Sequence, residues 1–404
     1  MAGLRQKARD FLLGLALLAV TAGLVLFPKE CMQAARDGLT LCGNVIIPSL
    51  FPFFVLSALL VELGLAGYLG RMLEGIMRPL FRLNGACASA VALGLIGGYP
   101  VGAKTAIDLY ENGMCTRTEA ERLLAFCNNS GPAFVLGVVG AGVFGSSRVG
   151  VLLYLTHVAA SLCVGLVFRF YKGSGREDQG ASRLNPQIKA GRFTAAFTDS
   201  VKSSFFSTLN ICAFVIFFTV LIKLLALSGI LPGIAQLLGY ILGPFGFNAE
   251  WGERLLTGIL EISTGVWTLS GSGALTGRVA MAAFMLGWAG LSVHCQVLSF
   301  VGKSGLSSRT YFCGKLLQSF FSVALFFLLS LVIPMGEPVS ALLADQVDGI
   351  AGMDFGTTLT GATLAAWGIF LFFFFLSLAG MLRGRRAGGS AKRKSRGHGG
   401  GYRR

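Results

Sequence analysis

Uncharged apolar stretches recur along this 404-residue chain, and each is close to the length of a membrane-spanning helix. Such a helix needs about 20 apolar residues, because hydrocarbon offers no hydrogen-bond partner to an open backbone. Only 13% of the residues are charged and 54% are hydrophobic, which excludes an ordinary soluble protein. The stretches are residues 11–27, 45–61, 123–144, 149–168, 205–222, 279–301, 316–333 and 359–382. We therefore expect an all-α polytopic membrane protein with about eight transmembrane helices.

Lysine and arginine residues predict the orientation of these helices. They occur at residues 5–9, 71–82, 104–122, 169–202 and 303–309. The loop 334–358 instead holds four acidic residues and no basic one. Because cytoplasmic loops are enriched in Lys and Arg, we expect both termini in the cytoplasm. The basic tail 383–404 contributes much of the net charge of +15, and we interpret it as a solvated segment near anionic lipid, with no nucleic-acid partner.

A segment rich in glycine and polar residues, 171–200, divides the chain into two halves of similar sequence. The expected units are an N-terminal helix with an external loop (1–39), a first repeat (40–170), a cytoplasmic linker (171–200), a second repeat (201–335), an acidic external loop with the last helix (336–382), and a basic tail (383–404). Residues 79–98 align with residues 244–264, which pairs Asn84 with Asn248 and Gly94 with Gly258.

The charge of the two repeats differs in a way that predicts inversion. The segment before Asn84 carries three arginines, whereas its counterpart before Asn248 has no charge. Opposite membrane faces would explain the difference, as in the inverted-repeat core of many secondary transporters. An odd number of crossings per half requires two re-entrant hairpins, which we place at residues 85–110 and 255–277. The uncharged stretch 224–247 is the competing prediction, because a further span there would break this parity.

The stretch 123–144 is interrupted by Asn128, Asn129, Ser130, Gly131 and Pro132. Proline removes a backbone donor and glycine loosens the turn, which predicts a broken helix whose freed backbone groups line a solute cavity. The alternative is a kinked helix whose amides only bind neighbouring helices. We take Asn128, Asn129 and Ser130 as candidate substrate-binding residues.

The first hairpin tip supplies a second group of candidates. Gly97, Gly98, Tyr99 and Pro100 form the turn, and the following helix is expected to begin near Val101. Its free amides and positive dipole end favour an anionic group. Lys104, one turn further on, adds a full positive charge. The alternative for Lys104 is an ion pair with Asp108, four residues away.

The second half supplies acidic and imidazole groups. Glu261 is the only carboxylate at the second hairpin tip, and Ser263 and Thr264 lie beside it. A carboxylate at membrane depth is a functional candidate for a proton, a cation or a substrate hydrogen bond, with a packed protonated Glu as the alternative. His294 and Gln296 are candidates for a proton relay or a substrate contact, with an interhelical hydrogen bond as the alternative.

No enzyme motif is present in the sequence. It has no HExxH, no GxSxG and no phosphate-binding loop of the GxxxxGK[ST] type, and its nine cysteines form no CxxC pair. We therefore predict no enzymatic activity, no cofactor and no metal site. A coupling ion, H+ or Na+, is left open.

Three motifs carry a family resemblance: GGYPVGAK, then FCNNSGPAF, then LEISTG in the second half. Over residues 40–335 the chain resembles sporulation integral membrane proteins of the YlbJ type, in the nucleoside-recognition (Gate) group. That group is similar to the core of concentrative nucleoside transporters. The resemblance implies inverted repeats, two re-entrant hairpins, and movement of dipicolinate across the outer forespore membrane.

The expected function is thus transport of a small polar, anionic solute during endospore formation, by alternating access around a site near the membrane midplane. The expected location is the plasma membrane or the outer forespore membrane, with lipid as partner and homo-oligomerisation left open. A nucleoside transporter is the first alternative. A sporulation membrane protein whose Gate halves bind a ligand without transporting it is the second.

Overall fold

The computed structural model describes residues 2–63, 73, 75–172 and 193–332. Every regular element among these residues is helical, which confirms the all-α class. The predicted acidic loop, the last predicted span and the basic tail lie outside the described residues, as does most of the linker 171–200. The domain boundaries predicted from the sequence stay predictions.

The first half contains seven α-helices and several short helical segments among the described residues. The α-helices are α1 (Ala2–Leu26), α2 (Pro28–Leu41), α3 (Ile47–Glu62), α4 (Ala88–Gly97), α5 (Val101–Glu111), α6 (Arg117–Leu124) and α7 (Ser147–Phe168). Wider π-helical turns cover Cys42–Ile46, Met77–Phe81 and Ala133–Val143. Helix α6 starts at a capping box. The Thr116 side chain accepts the backbone N–H of Glu119, and the Glu119 side chain accepts the backbone N–H of Thr116.

The second half contains the remaining described helices. They are α8 (Phe193–Leu227), α9 (Ile230–Leu242), α10 (Ala249–Leu260), α11 (Ile262–Trp267), α12 (Leu275–Trp288), α13 (Gly290–Ser304) and α14 (Arg309–Ser330). Helices α7 and α14 pack against each other, so the first and second halves of the chain meet along this pair. The main apolar core surrounds this pair.

Five helical stretches in the described part are long and apolar enough to cross a membrane. They are Arg9–Leu26, Ser147–Phe168, Phe193–Leu227, Leu275–Ser304 and Arg309–Ser330. The large apolar side chains of α1 are exposed, for example Leu17 and Leu18, as expected of a helix that faces lipid. The total of about eight spans stays a prediction, since part of the chain lies outside the described residues.

Two predicted apolar stretches are not single helices. The competing span 224–247 is divided at Gly229, whose φ of 76° starts the separate helix α9. The predicted span 279–301 lies within the candidate span Leu275–Ser304, but it is interrupted: Ala289 and Gly290 have φ values of 79° and 83° and separate α12 from α13. A left-handed pair ends helical hydrogen bonding, and the alanine gave no signal of it in the sequence.

Both predicted hairpins are present as antiparallel helix pairs. In the first, α4 ends at Gly97, and α5 begins at Val101 as expected from the sequence. Gly98 has a φ of 80°, a conformation that glycine adopts without strain. In the second, α10 and α11 meet at Glu261, so this hairpin starts before the predicted residue 255.

Glycines allow the hairpin arms to touch neighbouring backbone. A Cβ at Gly94 or Gly102 would lie 1.8 or 1.9 Å from the carbonyl oxygen of Cys127, so the first hairpin packs directly on the segment after α6. A Cβ at Gly265 would lie 2.2 Å from the Cα of Gly258 in the opposite arm. Small residues that permit such contact are the usual means of helix association in membranes.

A buried carboxylate joins the two halves outside the candidate spans. Glu121 of α6 accepts hydrogen bonds from Lys172, from Arg117 and from the backbone amide of Ser307, at 2.8, 3.2 and 3.2 Å. Arg117 also donates to the carbonyl of Gly305 at 2.8 Å. The turn between α13 and α14 is thereby fixed to the first half.

We predict that Gly102→Ala lowers the free energy of unfolding by about 1–3 kcal/mol or more, because the new methyl group overlaps the Cys127 carbonyl. Gly233→Ala in α9 is the matched control, since nothing lies within 4 Å of its Cβ position. Thermal unfolding of the detergent-solubilised protein measures both. Equal melting temperatures for the two variants would contradict the close packing of the hairpin.

Glu121 predicts an acid-sensitive contact between the halves. Burial acts to raise the pKa of its carboxyl, but the hydrogen bonds from Lys172, Ser307 and Arg117 outweigh it and hold this pKa below its usual range. A carboxyl with a lowered folded-state pKa stabilises the protein above about pH 4.3, and this stability is lost as the pH falls towards the folded-state value. We expect Glu121→Gln to flatten the acid limb of stability against pH, measured by thermal unfolding. The exposed Glu253→Gln is the control, and an unchanged acid limb in Glu121→Gln would refute the assignment.

Candidate functional site

The predicted interruption of the first half is present. Helix α6 ends at Leu124, residues 127–131 are not helical, and the π-helical segment Ala133–Val143 follows Pro132. Asn128, Asn129 and Ser130 are all buried. A Cβ at Gly98 would lie 2.9 Å from the Gly131 amide nitrogen, so the hairpin tip touches the interruption.

A buried lysine binds the interruption from α14. The Nζ of Lys315 donates to the Asn128 carbonyl at 2.7 Å and to the Gln318 Oε1 at 2.6 Å. It also lies 5.2 Å from the centre of the Tyr99 ring. A charge within a span costs up to about 3.5 kcal/mol on insertion scales, and each hydrogen bond to a charged group returns about 1.5–3 kcal/mol. The two hydrogen bonds therefore offset part of the cost of burying the Lys315 amine.

Amide groups extend this network into α7. Gln318 donates from Nε2 to the Oδ1 of Asn129 at 2.8 Å. Asn129 in turn donates from Nδ2 to the Phe126 carbonyl at 2.8 Å and to the Ser161 hydroxyl at 3.2 Å. The side chain of Asn129 therefore replaces part of the backbone hydrogen bonding that the interruption removes.

His157 on α7 is part of the same network. Its Nε2 accepts the backbone N–H of Ser130 at 3.0 Å, so the ring is neutral with its proton on Nδ1. The hydroxyl of Ser130 and the Nδ1 of His157 are buried and have no hydrogen-bond partner among the described residues.

His294 reaches this region from the second interruption. Its Nδ1 lies 2.9 Å from the hydroxyl of Tyr311, one turn before Lys315 on α14. The Trp288 ring packs edge-on at 4.4 Å between ring centres. The Asn128 side chain lies beside the Tyr311 hydroxyl, although neither its Nδ2 nor its Oδ1 has a well-oriented partner in the described part.

Buried polar atoms without partners are concentrated on these elements. Eight of the twelve such atoms in the described residues lie here: both side-chain atoms of Asn128, the hydroxyls of Ser130, Thr156, Ser292 and Ser322, Nδ1 of His157 and Nε2 of His294. The other four belong to Asn84, Arg169, Ser200 and Ser204. Each such group costs about 1–3 kcal/mol when buried unpaired. A small polar ligand or water bound among them would remove this cost, and this is the chemical capacity of the site. No set of three His, Cys, Asp or Glu side chains in the described chain is placed to hold a metal ion.

Lys104 lies apart from the residues that contact Lys315. It lies two residues after Gly102, about 200° around α5, and so points away from the interruption that Gly102 touches. Its Nζ donates to Ser203 at 3.3 Å and lies 3.9 Å from the Asp108 carboxylate. The ion pair that the sequence offered as the alternative is therefore present.

Glu261 closes the second hairpin by capping its own helix. Its two carboxylate oxygens accept the backbone amides of Ser263 and Thr264, at 3.1 and 2.7 Å. Both oxygens thus act as acceptors for the first amides of α11, the usual arrangement of an acidic N-cap residue. Gly290 packs on this tip: a Cβ at this position would lie 3.0 Å from the backbone nitrogen of Ile262. Gln296 is buried on α13.

Lys315, Gln318, His157, Ser161 and Tyr311 were not among the predicted candidates. Lys315 was missed because the apolar stretch was started at residue 316, one position past the charge. A lysine followed three residues later by Gln318, between apolar residues, was the available signal. His157 gave no signal in the sequence, because its partner is the backbone amide of Ser130.

We predict that Gln318→Leu lowers the free energy of unfolding by about 1–3 kcal/mol, because it leaves Lys315 and the Asn129 Oδ1 each short of one partner. Cys313→Ala, at an exposed position of the same helix, should change it by less than about 0.5 kcal/mol. Thermal unfolding in detergent compares the two. A neutral Gln318→Leu would show that the network contributes nothing to stability.

Comparison with known proteins places the chain in a family. A family model described as Gate, nucleoside recognition, matches residues 45–169. A solved CNTnw variant in an outward-facing state is 15% identical, covering 80% of this chain and 86% of its own, with a TM-score of 0.44. An uncharacterized protein of Alkalihalophilus pseudofirmus is 27% identical over 46% of this chain and 44% of its own. The sporulation integral membrane protein YlbJ of Bacillus subtilis is 31% identical over 342 residues, which are 80% of this chain and 83% of YlbJ. The chain belongs to the family of the sporulation integral membrane protein YlbJ.

Proposed function

We propose that the protein transports a small polar, anionic solute across a membrane during endospore formation, by alternating access around the interrupted helices. Dipicolinate is the substrate that the family resemblance suggests. The observation that carries the proposal is the buried Lys315, which lies beside several buried polar atoms without partners and forms no ion pair with a carboxylate among the described residues.

Matching contacts in the two halves support alternating access. In the first half, Gly131 of the interruption touches Gly98 of the hairpin tip. In the second half, Gly290 of the interruption touches the tip at Ile262. Such pairs of hairpins and broken helices are typical of inverted-repeat transporters, in which the solute site lies at the repeat interface. We take inverted repeats as part of the proposal.

The positive charge at the site supports an anionic solute. The sequence assigned this role to Lys104, but that ammonium is paired with Asp108, and we transfer the role to Lys315. The starts of α5 and α13 add helix N-termini, whose free amides favour negative charge. We retain as proposed solute contacts the other candidates from the sequence: Gly97, Gly98, Tyr99, Pro100, Asn128, Asn129, Ser130, Glu261, Ser263, Thr264, His294 and Gln296.

A nucleoside is the second candidate solute. The family model for residues 45–169 is described by nucleoside recognition. Asn128, Ser130 and His157 offer neutral hydrogen-bonding groups, which suit a base or a sugar. A sporulation membrane protein that binds its ligand without moving it remains the third candidate.

The proposed location of the protein is a membrane of the sporulating cell. We place it in the plasma membrane or the outer forespore membrane, with both termini in the cytoplasm and lipid as its surroundings. No enzymatic reaction is part of the proposal. Association of several copies is left as a question for the purified protein.

The test is uptake of labelled dipicolinate and of labelled nucleosides into proteoliposomes. We expect dipicolinate uptake by the intact protein and at least a tenfold loss in Lys315→Met, or about 1.4 kcal/mol, because the charge is removed with little change of volume. Asn129→Ala and Glu261→Gln should also reduce uptake. Leu316→Ala is the matched control, since its side chain is exposed on the same helix.

The outcomes separate the three candidates. Uptake of nucleosides alone, unaffected by Lys315→Met, would favour the nucleoside transporter. A folded protein that takes up neither solute would favour ligand binding without transport. Full dipicolinate uptake by Lys315→Met would remove the argument for an anionic solute.

A further inference from the structure

The surroundings of the Lys315 ammonium are those of a bound cation. An ammonium group has three N–H donors. Two of them point to oxygens, the Asn128 carbonyl at 2.7 Å and the Gln318 Oε1 at 2.6 Å. The Tyr99 ring lies on a further side, at 5.2 Å, where its face attracts positive charge. All of these ligands are neutral.

Neutral oxygens of this kind are also the ligands of alkali cations in transporters. Where a membrane helix is interrupted, freed carbonyls and helix C-terminal ends coordinate Na+ or a proton. The Asn128 carbonyl belongs to such an interruption, shortly after the C-terminus of α6. Hard cations prefer carbonyl and amide oxygens. Because both oxygens are neutral and neither can be removed by protonation at neutral pH, they remain acceptors with or without the lysine.

We propose that Lys315 is a resident cation, whose ammonium occupies the oxygen site that a free Na+ would otherwise fill. Because the lysine side chain is covalently attached to α14, its ammonium stays at the site at any salt concentration. The protein therefore holds its first interruption together without an alkali cation. This inference does not depend on the identity of the transported solute.

The second buried lysine shows what an ordinary ion pair looks like in this protein. Lys104 lies 3.9 Å from the Asp108 carboxylate and 3.3 Å from the Ser203 hydroxyl. Removal of the Lys104 amine leaves the Asp108 carboxylate, which can take up a proton. It does not leave a pair of neutral carbonyl oxygens. Lys315 differs, because its removal leaves two inward-facing oxygens and an empty volume. The two lysines thus form a matched pair for an experiment.

The experiment is thermal unfolding of the full chain in detergent, without solute, in choline chloride. NaCl or methylammonium chloride replaces choline chloride at constant ionic strength. The wild type should show no saturable rise of its melting temperature. Lys315→Ala should melt several degrees lower in choline, and Na+ or methylammonium should restore at least half of the loss in a saturable manner.

Two variants control for non-specific effects. Lys315→Met fills the site with an uncharged chain of similar length, so it should be destabilised without any response to Na+ or methylammonium. Lys104→Ala removes a paired buried lysine and should show no cation-specific recovery either. A common response of all variants would indicate a general salt effect and overturn the inference.

The wild type alone is sufficient to overturn the inference. A saturable rise of its melting temperature with Na+ would mean that the lysine does not occupy the cation site. If Lys315→Ala folds and responds like Lys315→Met, the lysine is structural and the inference fails. Lys315→Ala is also purified in methylammonium chloride if it does not fold in choline chloride. Folded protein in methylammonium supports the inference, and unfolded protein in both salts contradicts it. Since no solute is present, these results are independent of the uptake assay.

Discussion

The hydrogen bonds that the backbone loses around Asn128 determine the arrangement of the elements around them. A helix broken in an apolar interior leaves amides and carbonyls that lipid cannot satisfy. Here they are satisfied by side chains from other helices: His157 accepts from the Ser130 amide, and Lys315 donates to the Asn128 carbonyl. Helices α7 and α14 must therefore pack against the interruption and against each other. The burial of His157, Lys315 and Gln318 follows from that requirement.

Backbone contact between hairpin and interruption requires glycine at matching places in the halves. Gly94 and Gly258 were aligned from the sequence, and each lies where its hairpin arm meets other backbone, at the Cys127 carbonyl and at Gly265 respectively. A larger residue would separate the hairpin from the segment that it covers. The tips are thereby held against the interruptions at Gly131 and Gly290. Residues that fix the fold thus also bring the proposed solute contacts together.

Local signals in the sequence predicted the first half of the site well. The Gly-Gly-Tyr-Pro turn predicted the start of α5 at Val101, and the Gly-Pro pair predicted the break before Ala133, because both restrict the backbone directly. The second break was missed, since Ala289 adopts its left-handed φ only under tertiary packing. The partners of His157 and Lys315 were missed for a related reason. Both are backbone groups of a segment far away in sequence, and such pairing has no pattern in the sequence itself.

Glu261 and Lys315 each lie at a helix end whose dipole has the sign opposite to the charge of the side chain. Glu261 places a carboxylate on the N-terminal amides of α11, the positive end of a helix. Lys315 places an ammonium on a carbonyl just after the C-terminus of α6, the negative end. Each charge replaces the partners that a continuous helix would have supplied, and neither needs the other as a counter-ion. Both oxygens of Glu261 are engaged by backbone amides of its own helix, which is why the proposed function assigns recognition of an anionic solute to Lys315.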